Sequence, residues 1–194
     1  MTRAIGGERA PPHTYHHLFF ALWPDAGVRA RIEAAAQILK SEHAPLGRWI
    51  KPHRYHLTLR YLGEHASLPE SLVAAALAAG DDVRARSFDV VLDVAGSFAN
   101  RKIPWWLGCA GVANGFTALW EGIVAGLEAK GHPQHDDVDP VAHVTILRDA
   151  DRRLPTTPIA PIVWPAREFV LIDSHLGPQA RYEILRRWPL TESG

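Results

Sequence analysis

The chain has almost no cysteine and no surplus of charge, and both features narrow what it can be. Its 194 residues include one cysteine, Cys109, which excludes an internal disulfide framework and a cysteine-rich zinc site. Twenty-one basic residues balance 21 acidic ones. Proteins that bind long nucleic acid without sequence preference usually carry a basic excess. The balance argues against that class and leaves open a local basic site for one or two phosphates.

Long apolar runs and a signal peptide are also missing. No apolar run reaches the roughly 18 residues that a membrane span needs, and the N-terminus lacks a charged segment followed by an apolar one. With a single cysteine, this pattern predicts a protein of the reducing cytoplasm that has no membrane partner. We expect a flexible arm over residues 1–16 and a single two-lobed domain over residues 17–190.

The sequence contains one short pattern twice, a His-x-Thr-x set inside an apolar run, at residues 56–59 and 143–146. Random placement would give about 0.1 such sets with apolar residues at both x positions. On a strand, side chains alternate between faces, so each copy presents an imidazole and a hydroxyl on one face and two aliphatic residues on the other. For either copy alone, the half-exposed face of an ordinary sheet remains an alternative, and the recurrence weakens it.

Around the motifs, the hydrophobic pattern predicts alternating strands and helices. The further strands are predicted at residues 17–23, 86–94, 103–109, 168–175 and 181–188, and the helices at residues 26–40, 67–79 and 113–130. Residues 149–166, with four prolines, are predicted to be mostly loop. Each half has a long helix that leads through a polar loop into a motif strand. This predicts an α+β fold of two pseudo-symmetric lobes, each an antiparallel sheet with helices on the outside, around a central cleft.

A cluster of positive charge precedes the first motif, with Arg48, Lys51 and Arg54 in the polar segment 41–55. A solvated loop is the alternative, but the position just before His56 favours a rim that faces an anion.

No metal site is predicted from the remaining histidines. Adjacent residues of a strand point to opposite faces, so the tandem His16-His17 cannot chelate one ion from a regular strand. The histidine- and aspartate-containing loop at residues 132–140 lacks the spacing of a known site.

Two imidazoles that face one another can supply a general base and a general acid near neutral pH. Two neighbouring hydroxyls can donate hydrogen bonds to phosphoryl oxygens, so neither a metal nor a cofactor is required. This combination indicates a phosphodiester substrate, above all a strained cyclic one. The sequence has no Gly-x-Ser-x-Gly elbow and no Walker-type phosphate loop, which argues against those two routes.

The chain resembles the 2H phosphoesterase superfamily in four features. They are the paired motifs, the Leu-Arg-Tyr-Leu-Gly run at residues 59–63, the opening at residues 19–24 and the ending at residues 182–190. Within it, the chain is most similar to the RNA 2′,3′-cyclic phosphodiesterase branch, formerly called 2′-5′ RNA ligase. The resemblance spans roughly residues 17–190. It implies hydrolysis of a 2′,3′-cyclic phosphate to a 2′-phosphomonoester, on RNA ends or on small cyclic nucleotides. We expect a monomer with no obligate protein partner.

Carried over residue by residue, the resemblance implies that His143 is the base and His56 the acid, and that Thr58 and Thr145 hold the phosphate. The residues alone do not order the two histidines. Arg148 matches an arginine that the family places near the phosphate.

Strict alternation would put Arg148 on the face opposite His143, so its role requires the strand to end or bulge at Leu147. Arg60, on the predicted face of His56, is a further candidate for phosphate binding. A surface position for Arg148 and a rim ion pair for Arg60 are the alternatives.

Two departures from the family pattern bear on the substrate. Ala142 stands where the family usually has proline, and Asp149 and Asp151 place acid close to the predicted phosphate site. The acid keeps a small nucleotide substrate open. A 2′-5′ ligase or phosphodiesterase, a non-catalytic binder of phosphorylated RNA ends and, more distantly, a metalloprotein are the alternatives that the sequence leaves.

Overall fold

The computed structural model describes residues 15–111, 114–133, 140–177 and 180–192. The strands are β1 (Tyr15–Leu22), β2 (Arg48–Trp49), β3 (Leu57–His65), β4 (Phe88–Ser97), β5 (Ile103–Gly108), β6 (His143–Ala150), β7 (Thr157–Ala166), β8 (Glu168–Leu176) and β9 (Arg181–Pro189). The helices are α1 (Ala26–His43), α2 (Glu70–Asp82) and α3 (Asn114–Ala129), with a 3-10 turn at Pro52–Arg54. None of these helices combines the length and the apolar character required to cross a membrane.

The strands form one antiparallel sheet in the order β7-β4-β5-β6-β3-β1-β8-β9, and β2 pairs with β6. The predicted α+β class is confirmed. The two lobes are the halves of this sheet, and they meet where β6 pairs with β3. The two motif strands are therefore neighbours at the centre of the sheet, rather than partners that face each other across a gap.

One face of the sheet is packed against the helices, and we call it the helix face. Leu57 and Val144 are fully buried there, in the same core cluster as Ile32 of α1 and Leu119 of α3. We call the other face the open face. It carries a small cluster around Phe19 of β1. Burial of each large aliphatic side chain contributes about 2 kcal/mol, so the aliphatic positions of the motifs fix which face the His and Thr side chains occupy.

Capping residues define both ends of helix α1. Asp25 caps it, because the carboxylate accepts a hydrogen bond of 2.8 Å from the Val28 backbone N–H. Its last turn runs to His43, three residues beyond the predicted end, and Ala44 closes it in the left-handed conformation with φ of 43°. The closure leads the chain through Pro45 into β2, which lies alongside the second motif strand.

Two predictions about the chain's organisation are wrong. The segment at residues 149–166 contains strand β7, which lies at the end of the sheet order. Proline lacks a backbone N–H and is tolerated in edge strands. The prolines of this segment are therefore typical of an edge strand of the sheet rather than of a loop. The N-terminal arm is shorter than predicted, because Tyr15 and His16 pair with β8, while residues 1–14 lie outside the described residues. The halves of the sheet do not follow chain order, since β8 and β9 extend the half that begins with β1.

Candidate active site

The register between β3 and β6 brings the two motifs together. Leu57 lies opposite Val144 in an antiparallel pair. Continued by one residue in each direction, this register puts His56 level with Thr145, and Thr58 level with His143. Because Leu57 and Val144 point into the helix face, all four motif side chains point to the open face. The two histidines are then diagonal neighbours, a relation that separates residues by about 7–8 Å and their Cβ atoms by somewhat less.

A β-bulge in β6 determines on which face of the sheet Arg148 lies. Thr145 lies opposite Trp106, but Leu147 lies opposite Trp105, so β6 contains one extra residue, Ile146. The bulge places Ile146 and Leu147 together in the buried core and returns Arg148 to the face of Thr145. Arg148 lines the same cleft as His56 and Thr58. The bulge that its predicted role requires is therefore present.

A matching bulge in β3 has the opposite effect on Arg60. Thr58 lies opposite Ala21, but Arg60 lies opposite Phe20, so Leu59 is the extra residue. Phe20 belongs to the core of the helix face. Arg60 therefore also lies on the helix face, and it is only 6% exposed. The prediction that Arg60 shares the face of His56 is wrong, because it assumed an unbroken alternation.

Sequence reasoning missed Tyr61, which occupies the position that Arg60 was expected to take. Tyr61 stands five residues after His56, as Arg148 stands five residues after His143, and each follows its bulge onto the open face. Both residues line the cleft. The equal spacing from the two histidines was the signal that could have identified Tyr61, had the bulge been known.

The two histidines are held by the same local hydrogen bond. Nδ1–H of His56 donates to the Arg54 carbonyl at 2.8 Å, and Nδ1–H of His143 donates to the Val141 carbonyl at 2.7 Å. In both cases the acceptor lies two residues earlier in the chain. Because a carbonyl oxygen only accepts, Nδ1 carries the hydrogen in each ring. The other ring nitrogen, Nε2, is left to receive or to donate a proton.

Aromatic rings fix the orientation of both imidazoles. The ring of Phe19 lies 5.0 Å from that of His56, and Tyr182 meets His56 edge-on at 5.5 Å. Phe98 meets His143 edge-on at 4.9 Å. Phe19 and Tyr182, which the sequence did not single out as site residues, also line the cleft.

Burial makes both imidazoles weak bases in the ligand-free protein, and positive neighbours add to this effect at His56. The pKa of His56 is lowered to about 4, mainly by burial, and the charges of Arg148, His143 and Arg54 contribute to this against the opposing effect of the hydrogen bond to the Arg54 carbonyl. Burial also lowers the pKa of His143. At neutral pH both rings are uncharged. A bound anion would favour the protonated form, since opposite charge nearby raises the pKa of a histidine.

The cleft on the open face has a volume of about 600 Å³, and its rim is basic. Arg48, Lys51, Arg54 and Arg148 all line it. The predicted position of the basic segment beside His56 is confirmed. The guanidinium of Arg54 lies 4.5 Å from the centre of the Tyr182 ring, over the same part of the cleft.

Both acidic residues of the second motif have positively charged partners. Asp149 pairs with Arg48 at 3.6 Å, and Asp151 pairs with Arg152 at 2.8 Å. Asp151 also accepts a hydrogen bond of 2.9 Å from the Leu46 backbone N–H. These pairings offset much of the negative charge that the sequence placed near the phosphate site.

Known proteins are similar to this chain along most of its length. The family model described as LigT like Phosphoesterase matches residues 22–106, which include the first motif. The RNA 2′,3′-cyclic phosphodiesterase of Thermus thermophilus is 30% identical over 188 residues, with 89% of each chain covered. The chain belongs to the LigT-like phosphoesterase family. The resemblance to the 2H phosphoesterases and the prediction of a phosphodiesterase are thus confirmed.

Solved structures of this family have the same fold. The crystal structure of E. coli LigT in apo form matches with a TM-score of 0.73 at 30% identity, over 93% of this chain and 98% of that one. E. coli LigT complexed with 3′-AMP matches with a TM-score of 0.73 at 29% identity, over 93% of this chain and 99% of that one.

Proposed function

We propose that this LigT-like phosphoesterase hydrolyses a 2′,3′-cyclic phosphate, on an RNA end or a small nucleotide, to a 2′-phosphomonoester without a metal ion. One observation carries the proposal. The β3–β6 register gathers two imidazoles and two hydroxyls on one face of the sheet. The relative from T. thermophilus, named as an RNA 2′,3′-cyclic phosphodiesterase, and the 3′-AMP complex of E. coli LigT support a nucleotide ligand.

In the proposed reaction, the two histidines act from opposite sides of one phosphorus atom. Nε2 of His143 takes a proton from water as the water oxygen bonds to phosphorus. The bond from phosphorus to O3′ breaks, and Nε2 of His56 gives O3′ its proton. The Nδ1–H bonds to Arg54 and Val141 hold each ring in the required tautomer.

The remaining residues of the site stabilise charge. Thr58 and Thr145 would donate hydrogen bonds to the non-bridging oxygens, where negative charge grows as water attacks. Arg148, brought to the open face by its bulge, would add a positive charge to that side. The basic rim formed by Arg48, Lys51 and Arg54 would draw the anionic substrate into the cleft.

The acid also has to be charged before it can act, although burial lowers its pKa in the ligand-free protein. We infer that the bound phosphodiester supplies the missing stabilisation. Its negative charge beside His56 opposes the effects of burial and of Arg148, so substrate binding and protonation of one imidazole would occur together.

Turnover of a 2′,3′-cyclic nucleotide with an excess of chelator tests the proposal. We expect the nucleoside 2′-phosphate as product, identified by ³¹P NMR or by comparison with both phosphate isomers. A 3′-phosphate, or activity that returns only with added metal, would contradict the proposal. Binding without product would indicate the non-catalytic binder, and a joined 2′-5′ product from RNA with suitable ends would indicate a ligase.

A substrate with sulfur in place of O3′ would order the two histidines. A thiolate leaves without a proton, so the variant that lacks the general acid should regain much of its rate on this substrate. We expect recovery for His56→Ala and none for His143→Ala. The opposite result would exchange the two roles while it left the pairing intact.

A further inference from the structure

A second cluster of ligand-bearing side chains lies on the helix face of the sheet, away from the cleft. His16 of β1 lies opposite His175 of β8, and Asp173 of β8 lies opposite Glu183 of β9. Three neighbouring strands therefore contribute to it. His17 points the other way, as alternation predicts, and its Nε2 contacts Glu64 at 2.7 Å. The tandem histidines do not share an ion, but the structure gives His16 different partners.

The ligand atoms of this cluster converge. Nδ1 of His16 lies 2.9 Å from Oδ2 of Asp173, and Nε2 of His175 lies 3.0 Å from the same oxygen. Nε2 of His175 also lies 3.2 Å from Oε2 of Glu183. The His16, Asp173 and His175 ligand atoms all lie within 4.8 Å of one another. Adjacent ligands around a metal with bonds near 2.1 Å are about 3.0–3.4 Å apart.

The charge and the burial of the carboxylates favour a cation at this cluster. The Asp173 side chain is 5% exposed, and a buried carboxylate requires a compensating charge. The two carboxylates bring two negative charges to the four side chains. Arg181 pairs with Glu183 at 3.6 Å. Nε2 of His175 is shared between the two carboxylates. A divalent ion would satisfy both carboxylates and both imidazoles.

We propose that His16 Nδ1, His175 Nε2 and Asp173 Oδ2, with Glu183 as a fourth ligand, bind one divalent transition-metal ion of the Zn²⁺ class. Imidazole and carboxylate are donors that Zn²⁺ and Co²⁺ accept in four-coordinate sites. The side chains of His16 and His175 are 20% and 12% exposed, so an ion can enter from solvent. The ion would fasten β1 to the hairpin of β8 and β9. It would act on stability and take no part in the chemistry of the cleft, so it is independent of the proposed reaction.

Titration of the metal-free full chain with Co²⁺ and Zn²⁺ at pH 7.5 tests this site. We expect one equivalent to bind, and Co²⁺ to show the intense absorption of a four-coordinate complex. At a metal concentration about 100-fold above Kd, the Tm should rise by about 5–10 °C. Failure of the wild-type chain to bind one equivalent would overturn the proposal and leave a cluster held by protons alone.

Four variants locate the ion. His175→Gln and His16→Gln should each weaken binding more than tenfold, and His17→Gln, at the adjacent position on the other face, should not. Glu183→Gln changes a side chain that is 52% exposed, so it should fold normally while it weakens binding and alters the Co²⁺ spectrum. Binding that survives the loss of His16 and His175, or that His17→Gln removes instead, would place the ion elsewhere. These readouts do not involve turnover, so their failure is distinct from a failure of the proposed function.

Discussion

At the scale of single residues, the chemistry depends on which nitrogen of each histidine is left for the substrate. In both rings, Nδ1–H donates a hydrogen bond to a carbonyl two residues earlier, at 2.8 and 2.7 Å. Loss of either ring should remove a proton-transfer step that no neighbouring group replaces. Each threonine supplies only a hydrogen bond, so its loss should lower turnover less than the loss of a histidine.

We therefore expect His56→Ala and His143→Ala to abolish turnover while the fold persists. Thr58→Ala and Thr145→Ala should each lower kcat/KM about ten- to a thousandfold. Steady-state kinetics on a 2′,3′-cyclic nucleotide, with circular dichroism to verify folding, measures both effects. Thr157→Ala is a matched control, since its hydroxyl bonds the Pro155 carbonyl outside the cleft, and it should keep the wild-type rate. A histidine variant with near wild-type turnover would disprove the pairing.

The lowered histidine pKa values predict the pH dependence. In the free enzyme the pKa of His56 is about 4 and that of His143 lies below its usual 6.5. The reaction needs one neutral and one protonated ring, and the proton is lost as the pH rises through the higher of the two values. The alkaline limb of kcat/KM should therefore lie below pH 6.5, and that of kcat at higher pH, because the bound anion raises the pKa. Coincident limbs would show that the substrate does not alter protonation.

At the scale of the strand, two bulges decide which residues reach the substrate. The alternation of His, Thr and aliphatic side chains predicted the motif faces correctly. It could not predict where an extra residue interrupts each strand, because a bulge is defined by the partner strand. For this reason Arg60 was assigned to the wrong face, Tyr61 was missed, and the position of Arg148 depended on a bulge that the sequence does not show.

Replacing Arg148 and Arg60 in turn by methionine distinguishes a residue of the open face from a residue of the helix face. Arg148→Met should lower kcat/KM by about ten- to a thousandfold with little effect on stability. Arg60→Met removes a buried, interacting guanidinium from the helix face. It should cost about 1–3 kcal/mol in the free energy of unfolding, while the folded enzyme keeps its rate. Kinetics and urea unfolding measure the two effects. The reverse pattern would mean that the bulges are misplaced.

At the scale of the whole molecule, the halves of the sheet are assembled from distant parts of the chain. The α+β class and the strands β1, β5, β8 and β9 followed from hydrophobic pattern. The sheet order did not, because β8 pairs with β1 across about 150 residues and nothing local encodes that choice. The His16–Asp173 contact depends on the same pairing. The cleft and the second cluster both lie where such long-range partners meet.

The buried histidines also link the site to global stability. In the unfolded chain His56 binds a proton near its usual pKa of 6.5, and in the folded protein only near pH 4. Above pH 6.5 it is neutral in both states. As the pH falls from 6.5 to 4, the unfolded state gains the proton first, so the free energy of unfolding drops by roughly 3 kcal/mol from this group.

His56→Gln should abolish that part of the pH dependence. Between pH 7 and pH 4 the variant should lose roughly 3 kcal/mol less stability than the wild-type chain does. Urea unfolding at several pH values measures the difference, and the comparison cancels contributions from every other titrating group. Parallel stability curves would show that the ring is not desolvated in the folded protein.

If the two imidazoles meet at one phosphate, histidine-selective ¹⁵N NMR should detect both of them on a single bound anion. Inorganic phosphate is added to the labelled full chain, with the two rings assigned from their variants. We expect the Nε2 signals of His56 and His143 to shift together, with a single Kd and one equivalent of phosphate, and one of the two rings to move toward the protonated form. A shift of only one ring, or two unrelated binding constants, would contradict this expectation.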